Sequence, residues 1–218
     1  MKLKIKNEIF SIFLILLTSV ASIYFYLNFP EKVPIHWNFK GEVDNWGSKE
    51  FGAFFVPVIL IFIYVMFLVL PKIDPKKDRY TQFMKPYKIL QNLIIAFLVI
   101  IYFVTGFYAL GYEMNVSILI PVMIGGLFVI IGNYMSKLKS NWFVGIRTPW
   151  TLSSENVWNK THRLGARVFI VGGIILGITA YVPNPVNIYL FVINLIFIVF
   201  TPVVYSYLEH KKENNNKK

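Results

Sequence analysis

Six long apolar runs constrain this chain more than any other feature: Ile9 to Leu27, Phe51 to Leu70, Ile89 to Leu110, Val116 to Met135, Leu164 to Val182 and Val186 to Leu208. Each holds roughly 19 to 23 residues, which at about 1.5 Å of rise per residue matches a hydrocarbon core about 30 Å thick. With 56% hydrophobic and 15% charged residues the composition agrees. The fold class expected is all-α: a polytopic membrane protein with six transmembrane helices. The fifth run is the weakest, because its uncharged part starts only at Val168. Arg167 must then sit near the interface with its guanidinium reaching the headgroups, so this helix is expected to begin before the membrane does.

Lysine and arginine crowd alternate connections. Lys2, Lys4 and Lys6 precede the first run; Lys72, Lys76, Lys77, Arg79, Lys85 and Lys88 fill the second loop. Lys137, Lys139, Arg147, Lys160, Arg163 and Arg167 fill the fourth, and Lys211, Lys212, Lys217 and Lys218 end the chain. The first loop has only Lys32, Lys40 and Lys49, offset by Glu31, Glu42 and Asp44, and the third and fifth loops have none. The positive-inside rule therefore puts both termini in the cytoplasm. It also makes the net charge of +11 a topology signal, with no direct nucleic-acid binding expected. Because the chain has no cysteine, disulfides, thiolate metal sites and thiol nucleophiles are excluded. The first lysines, the apolar stretch and Ser19-Val20-Ala21 also resemble a cleavable leader, but the run continues through Ile23 to Leu27, which favours an uncleaved span.

The first loop, 28–50, is expected outside. Gly41, Asn45, Gly47 and Ser48 supply turn chemistry, and Trp37 and Trp46 suit the headgroup level. A compact interfacial loop explains these residues. A binding surface explains them equally well and also accounts for His36, Asn38, Asp44 and Lys49. One His and one Asp are too few for a metal site, and no cofactor is expected. Pro57, Pro121 and Pro202 read as local kinks. The linker 71–88 reads as a basic connector able to bind anionic lipid at about 1 kcal/mol per cation.

Polar residues within the runs are few: Gln91, Asn92, Thr105, Asn133, Asn194 and Thr201, mostly near the ends. No ionisable group sits at a span centre, and Glu113 lies in the short outer loop from Gly111 to Asn115. That argues against a proton-coupled transporter. Gly172-Gly173-Ile174-Ile175-Leu176-Gly177 carries a small-xxx-small face, which marks close helix packing within one chain more often than a dimer contact. A homo-oligomer stays open.

The inner segment 136–166 concentrates the specific information. Gly145 permits unusual backbone angles and Pro149 forces Thr148 away from helical geometry, so Gly145-Ile146-Arg147-Thr148-Pro149-Trp150-Thr151-Leu152 reads as a shaped turn. Ser153 or Ser154 is a good N-cap, with Glu155 in the first turn. Helical spacing then sets Trp158, Thr161, His162 and Gly165 on one face of a helix running into the fifth span. His162 reads more readily as packed or headgroup-facing than as a catalyst. No Ser/His/Asp group or carboxylate pair assembles on one side of the membrane, so no enzyme is expected.

Asn141, the Gly145 to Leu152 turn, Trp158 and Arg163 resemble the signature of the SdpI family of bacterial immunity membrane proteins. Pro34, His36-Trp37-Asn38, Gly41, Asp44, Trp46 and Lys49, running into Pro57, resemble the uncharacterised domain at the N-terminus of the same proteins. The resemblance implies an N-terminal domain over 1–88, with the outer loop 28–50 and linker 71–88. An SdpI-like region over 89–218 would hold the inner motif 136–166. It further implies a plasma-membrane protein that protects its producer from a secreted membrane-active killing peptide. A second implied role is that of a signalling receptor holding a small DNA-binding autorepressor at the membrane. On that reading His36, Trp37, Asn38, Gly41, Asp44, Trp46 and Lys49 face the toxin. Asn141, Gly145, Arg147, Thr148, Pro149, Trp150, Thr151, Leu152, Trp158, His162 and Arg163 face the repressor. The alternatives are a small-solute or peptide transporter and, less favoured, a membrane enzyme acting on lipid.

Overall fold

The computed structural model describes residues 8–216. The lysines at 2, 4, 6, 217 and 218, which entered the charge pattern, lie outside the described residues. Among the described residues there are seven α-helices, and all but the shortest are long and apolar enough to cross a membrane. In order they are α1 (Ile9–Asn28), α2 (Lys49–Ile73), α3 (Tyr80–Ala109), α4 (Val116–Met135), a short α5 (Pro149–Ser153), then α6 (Glu155–Thr179) and α7 (Val186–Asn215). The all-α membrane architecture expected from the apolar runs is what forms. A small β-hairpin, β1 (Lys32–Trp37) and β2 (Val43–Ser48), occupies the loop between α1 and α2.

By internal packing the chain divides into two units. The first takes the chain to Val69 together with Gln91–Ile120. Its core is aromatic: Phe25 stacks on Phe29 at 5.0 Å and meets Tyr102, Phe103 and Phe107 edge-on. Gly106 makes room, since a Cβ there would come 2.4 Å from Phe25 Cζ. Tyr102 donates its hydroxyl to the Ala53 carbonyl at 2.7 Å, joining α3 to α2. Val33 of β1 is buried in the same cluster, so the hairpin is rooted in the helical core. A second layer of Leu60, Ile95 and Val99 continues below it. Where helices are surrounded by lipid, tails are as apolar as leucine, so close packing and interhelical hydrogen bonds hold the unit more than apolar burial does. The broad exposure of Phe13, Leu16, Val20, Ile61 and Phe62 is the lipid-facing side of that bargain.

The second unit comprises Leu70–Leu90 and the chain from Pro121 onward. Here α4 and α6 cross backbone to backbone. A Cβ on Gly125 would sit 2.5 Å from the Gly173 carbonyl oxygen, and one on Gly173 would sit 2.6 Å from that of Gly125. The small-residue face is thus used inside the chain. α6 meets α7 where Ile198 fills the space over Gly172, and Asn194 donates to the Gly172 carbonyl at 2.9 Å.

Three boundaries differ from the apolar runs. α3 starts at Tyr80, not Ile89, after a 3-10 turn Lys77–Arg79, and carries a kink at Phe83 and Pro86 inside it. α6 starts at Glu155, ahead of the apolar run as expected, and α7 continues to Asn215. Each extension is a polar flank in which helix outlasts hydrophobicity.

Candidate functional site

Two sites stand out, one in each unit. In the first unit the hairpin is closed by Asn38. Its side-chain oxygen accepts the backbone N–H groups of Lys40 at 2.8 Å and Glu42 at 3.1 Å, while its amide donates to Glu42 Oε2 at 3.0 Å. Gly41 supplies the left-handed residue the turn requires, at φ +80°. A Cβ on Gly41 would meet Ser117 Cβ at 2.9 Å, so the hairpin tip seats on the start of α4. Trp37 packs edge-on against Tyr108 at 5.3 Å, near the end of α3.

His36, Asp44 and Trp46 face outward. His36 pairs with Asp44 across the strands, yet their side chains stay 64% and 42% exposed. Trp46 is 55% exposed. Lys49 bonds Glu31 Oε1 at 3.0 Å and lies over the Tyr26 ring, clasping the hairpin base. All seven residues predicted for this surface therefore fall on the hairpin or its root, with Trp37, Asn38 and Gly41 building it and His36, Asp44 and Trp46 displayed by it.

In the second unit the shaped turn is a knot of buried polar contacts. Asn141 is fully buried; its oxygen accepts from the Phe143 and Val144 N–H groups at 2.9 and 2.7 Å, and its amide donates to the Lys139 and Val144 carbonyls at 2.9 Å. Gly145 takes φ +114°, and a Cβ there would come 2.4 Å from His162 Nε2. That nitrogen accepts the Ile146 N–H at 3.0 Å, so the proton belongs on Nδ1, which donates to the Trp158 carbonyl at 2.8 Å. The imidazole stacks on the Trp158 ring at 4.0 Å, and Trp158 Nε1 donates to the Leu138 carbonyl at 2.9 Å.

Thr148 and Thr151 form a capping box around Pro149, the first residue of α5. The Thr148 hydroxyl also meets Ser206 of α7 at 3.0 Å. Ser154 caps α6 by accepting the Val157 N–H, and donates to Glu213 at 2.7 Å. Trp150 is half-buried against the Tyr207 ring at 5.1 Å, with Leu152 also partly covered.

Of the eleven residues predicted here, Asn141, Thr148, Thr151, Trp158 and His162 are buried, whereas Gly145, Arg147, Pro149 and Arg163 are exposed. Arg147 is held by one hydrogen bond, Nη1 to the Trp142 carbonyl at 2.8 Å. Trp142 itself is 46% exposed beside it.

Sequence reasoning missed Asp74. It is 2% exposed and its carboxylate gathers the Lys76 N–H at 2.7 Å, the Trp142 N–H at 2.9 Å and the Tyr80 hydroxyl at 3.0 Å. Lys76 Nζ reaches Ser140 at 2.7 Å and Arg79 pairs with Glu155 at 2.9 Å. The linker read as a lipid-binding connector is therefore bolted to the inner turn by three polar links. The available signal was an acid placed directly before Pro75 in a basic run; its partner lies 68 residues away, beyond any local pattern.

Comparisons with known proteins cover both regions. Residues 137–206 match the SdpI/YfhL protein family, and residues 13–61 match a domain of unknown function, DUF1648. The chain is 28% identical over 212 residues to the immunity protein SdpI of Bacillus subtilis (strain 168), covering 97% of this chain and 100% of that protein. No solved structure matches it. The similarity is to an immunity protein and not to an enzyme family. The chain is accordingly a multi-pass protein of the cell membrane that is similar to the SdpI/YfhL family over residues 137–206 and to a domain of unknown function over residues 13–61.

Proposed function

We propose that the protein confers immunity against a secreted, membrane-active killing peptide, with the hairpin outside the cell and the Asn141–His162 knot inside. The observation that carries this reading is the whole-length similarity to an immunity protein, which takes in both sites at once. Internal packing supports the sidedness: in the first unit the hairpin sits with the end of α3 and the start of α4. In the second, the linker after α2, the turn after α4 and the tail of α7 are hydrogen-bonded together. Helices that alternate in direction bring those connections to common ends, and the lysine pattern assigns the cationic end to the cytoplasm.

A second role, membrane sequestration of a cytosolic DNA-binding autorepressor, would fall to the exposed part of the inner site. Arg147, Trp142, Pro149 and Arg163 are open to a partner, whereas the buried residues fix the turn that displays them. For toxin binding to change repressor docking, the peptide must bind two states of the protein with different affinity. Expression in a toxin-sensitive strain, scored for survival and for membrane retention of a tagged repressor, tests both roles. Arg147→Ala or Trp142→Ala should abolish retention and leave survival intact; loss of both in well-inserted protein would contradict separate roles for the two sites.

A further inference from the structure

The hairpin and the turn after α3 share a cleft of about 500 Å³, lined by Lys40 and Gly41 on one side and by Glu113, Met114, Asn115, Val116 and Ser117 on the other. Phe39, adjoining Lys40, is 53% exposed, and Tyr112, adjoining Glu113, is 61% exposed. Further along the hairpin, β2 carries Trp46 and exposed polar side chains. Among the described residues this is an exposed aromatic and polar surface.

Its charge differs in sign from the rest of the chain. Glu31, Glu42, Asp44, Glu50 and Glu113 outnumber Lys32, Lys40 and Lys49 there, in a protein of net charge +11. Glu113 makes no hydrogen bond or ion pair among the described residues, so its charge is available to a ligand. A peptide that attacks membranes through an amphipathic helix carries Lys or Arg on its polar face and bulky apolar groups on the other. Exposed carboxylates and exposed aromatic rings on one hairpin-and-turn surface complement both faces.

Resting on the immunity reading, we propose that the cleft between the hairpin tip and the α3–α4 turn, with the outer face of β2, docks a cationic amphipathic peptide. Glu113 and Glu42 meet its cations, and Phe39, Tyr112 and Trp46 meet its apolar face. The killing peptide is thereby assigned a chemical class, and Tyr112 and Glu113 join a surface so far confined to the hairpin.

The test uses the full chain in nanodiscs of zwitterionic phosphatidylcholine, and a fluorescent 14-residue peptide of alternating Lys and Leu pairs as probe. A Glu and Leu counterpart serves as control. The Lys peptide should bind filled nanodiscs at least tenfold more tightly than empty ones, with affinity falling as salt rises. The Glu peptide should show no such gain. Charge reversal by Glu113→Lys with Glu42→Lys should cost roughly tenfold, as expected for two partly screened exposed charges, whereas Asp78→Lys, in the second unit, should leave binding unchanged. Equal binding to filled and empty nanodiscs, or equal loss with Asp78→Lys, would overturn the proposal. Survival assays separate the two readings. Protection of cells without binding of the Lys peptide would sink the cationic class and spare immunity; binding without protection would do the reverse.

Discussion

The hairpin and the inner turn are both short, glycine-pivoted and rich in tryptophan, yet they spend those residues differently. In the hairpin, a single side chain, Asn38, closes the turn, and His36, Asp44 and Trp46 stand in solvent. In the inner turn Asn141, Thr151, Trp158 and His162 are each at most 1% exposed, and their polar groups bond mainly to the backbone. Motif-like sequence therefore marks display in one place and construction in the other. A histidine with 64% side-chain exposure is available for recognition, whereas one stacked under a tryptophan is holding a loop.

The largest expected effect breaks the knot. Gly145→Val places a branched side chain at φ +114° and 2.4 Å from His162 Nε2, so a loss of about 3 kcal/mol or more is expected. Thermal unfolding of the purified protein in detergent should show it as a marked fall in midpoint. Next comes Asp74→Ala, which removes the acceptor of the Trp142 N–H and leaves the buried Tyr80 hydroxyl only its 3.5 Å contact with Asn141, and should cost roughly 2–3 kcal/mol in the same assay. An unchanged midpoint would show that the linker and turn are not coupled as described.

At the other extreme, His36→Ala removes an exposed cross-strand pair and should shift stability by under about 1 kcal/mol. If the hairpin is a display surface, that variant keeps its fold and still alters survival under toxin challenge. A destabilisation equal to that of Asp74→Ala would erase the contrast between the two sites.

Much of this was legible in the sequence, and the rest was hidden for identifiable reasons. Six apolar runs gave six helices because length and hydropathy suffice when lipid is the solvent. An N-cap at Ser153 or Ser154, of which Ser154 serves, Thr148 in extended backbone and Gly145 at positive φ followed from local chemistry alone. The shared face of Trp158, Thr161, His162 and Gly165 followed from helical spacing, and all four are buried. The hairpin did not show because Pro34 interrupts β1 and β2 is a short polar stretch with no clean alternation; its pairing even slips register between Pro34 and His36. α5 hid behind Pro149, which reads as a breaker but serves as a first helical residue. Asp74 was invisible because its meaning lies in Trp142 and Tyr80, brought to it only by the folded unit.

Sidedness is the claim on which the division of labour rests, and the absence of cysteine makes it directly measurable. Single-cysteine variants Ser48→Cys in the hairpin and Arg147→Cys in the inner turn can be treated in intact cells with a membrane-impermeant maleimide. The account predicts labelling of Ser48→Cys in intact cells and of Arg147→Cys only after permeabilisation. Labelling of both positions from the same side would contradict it.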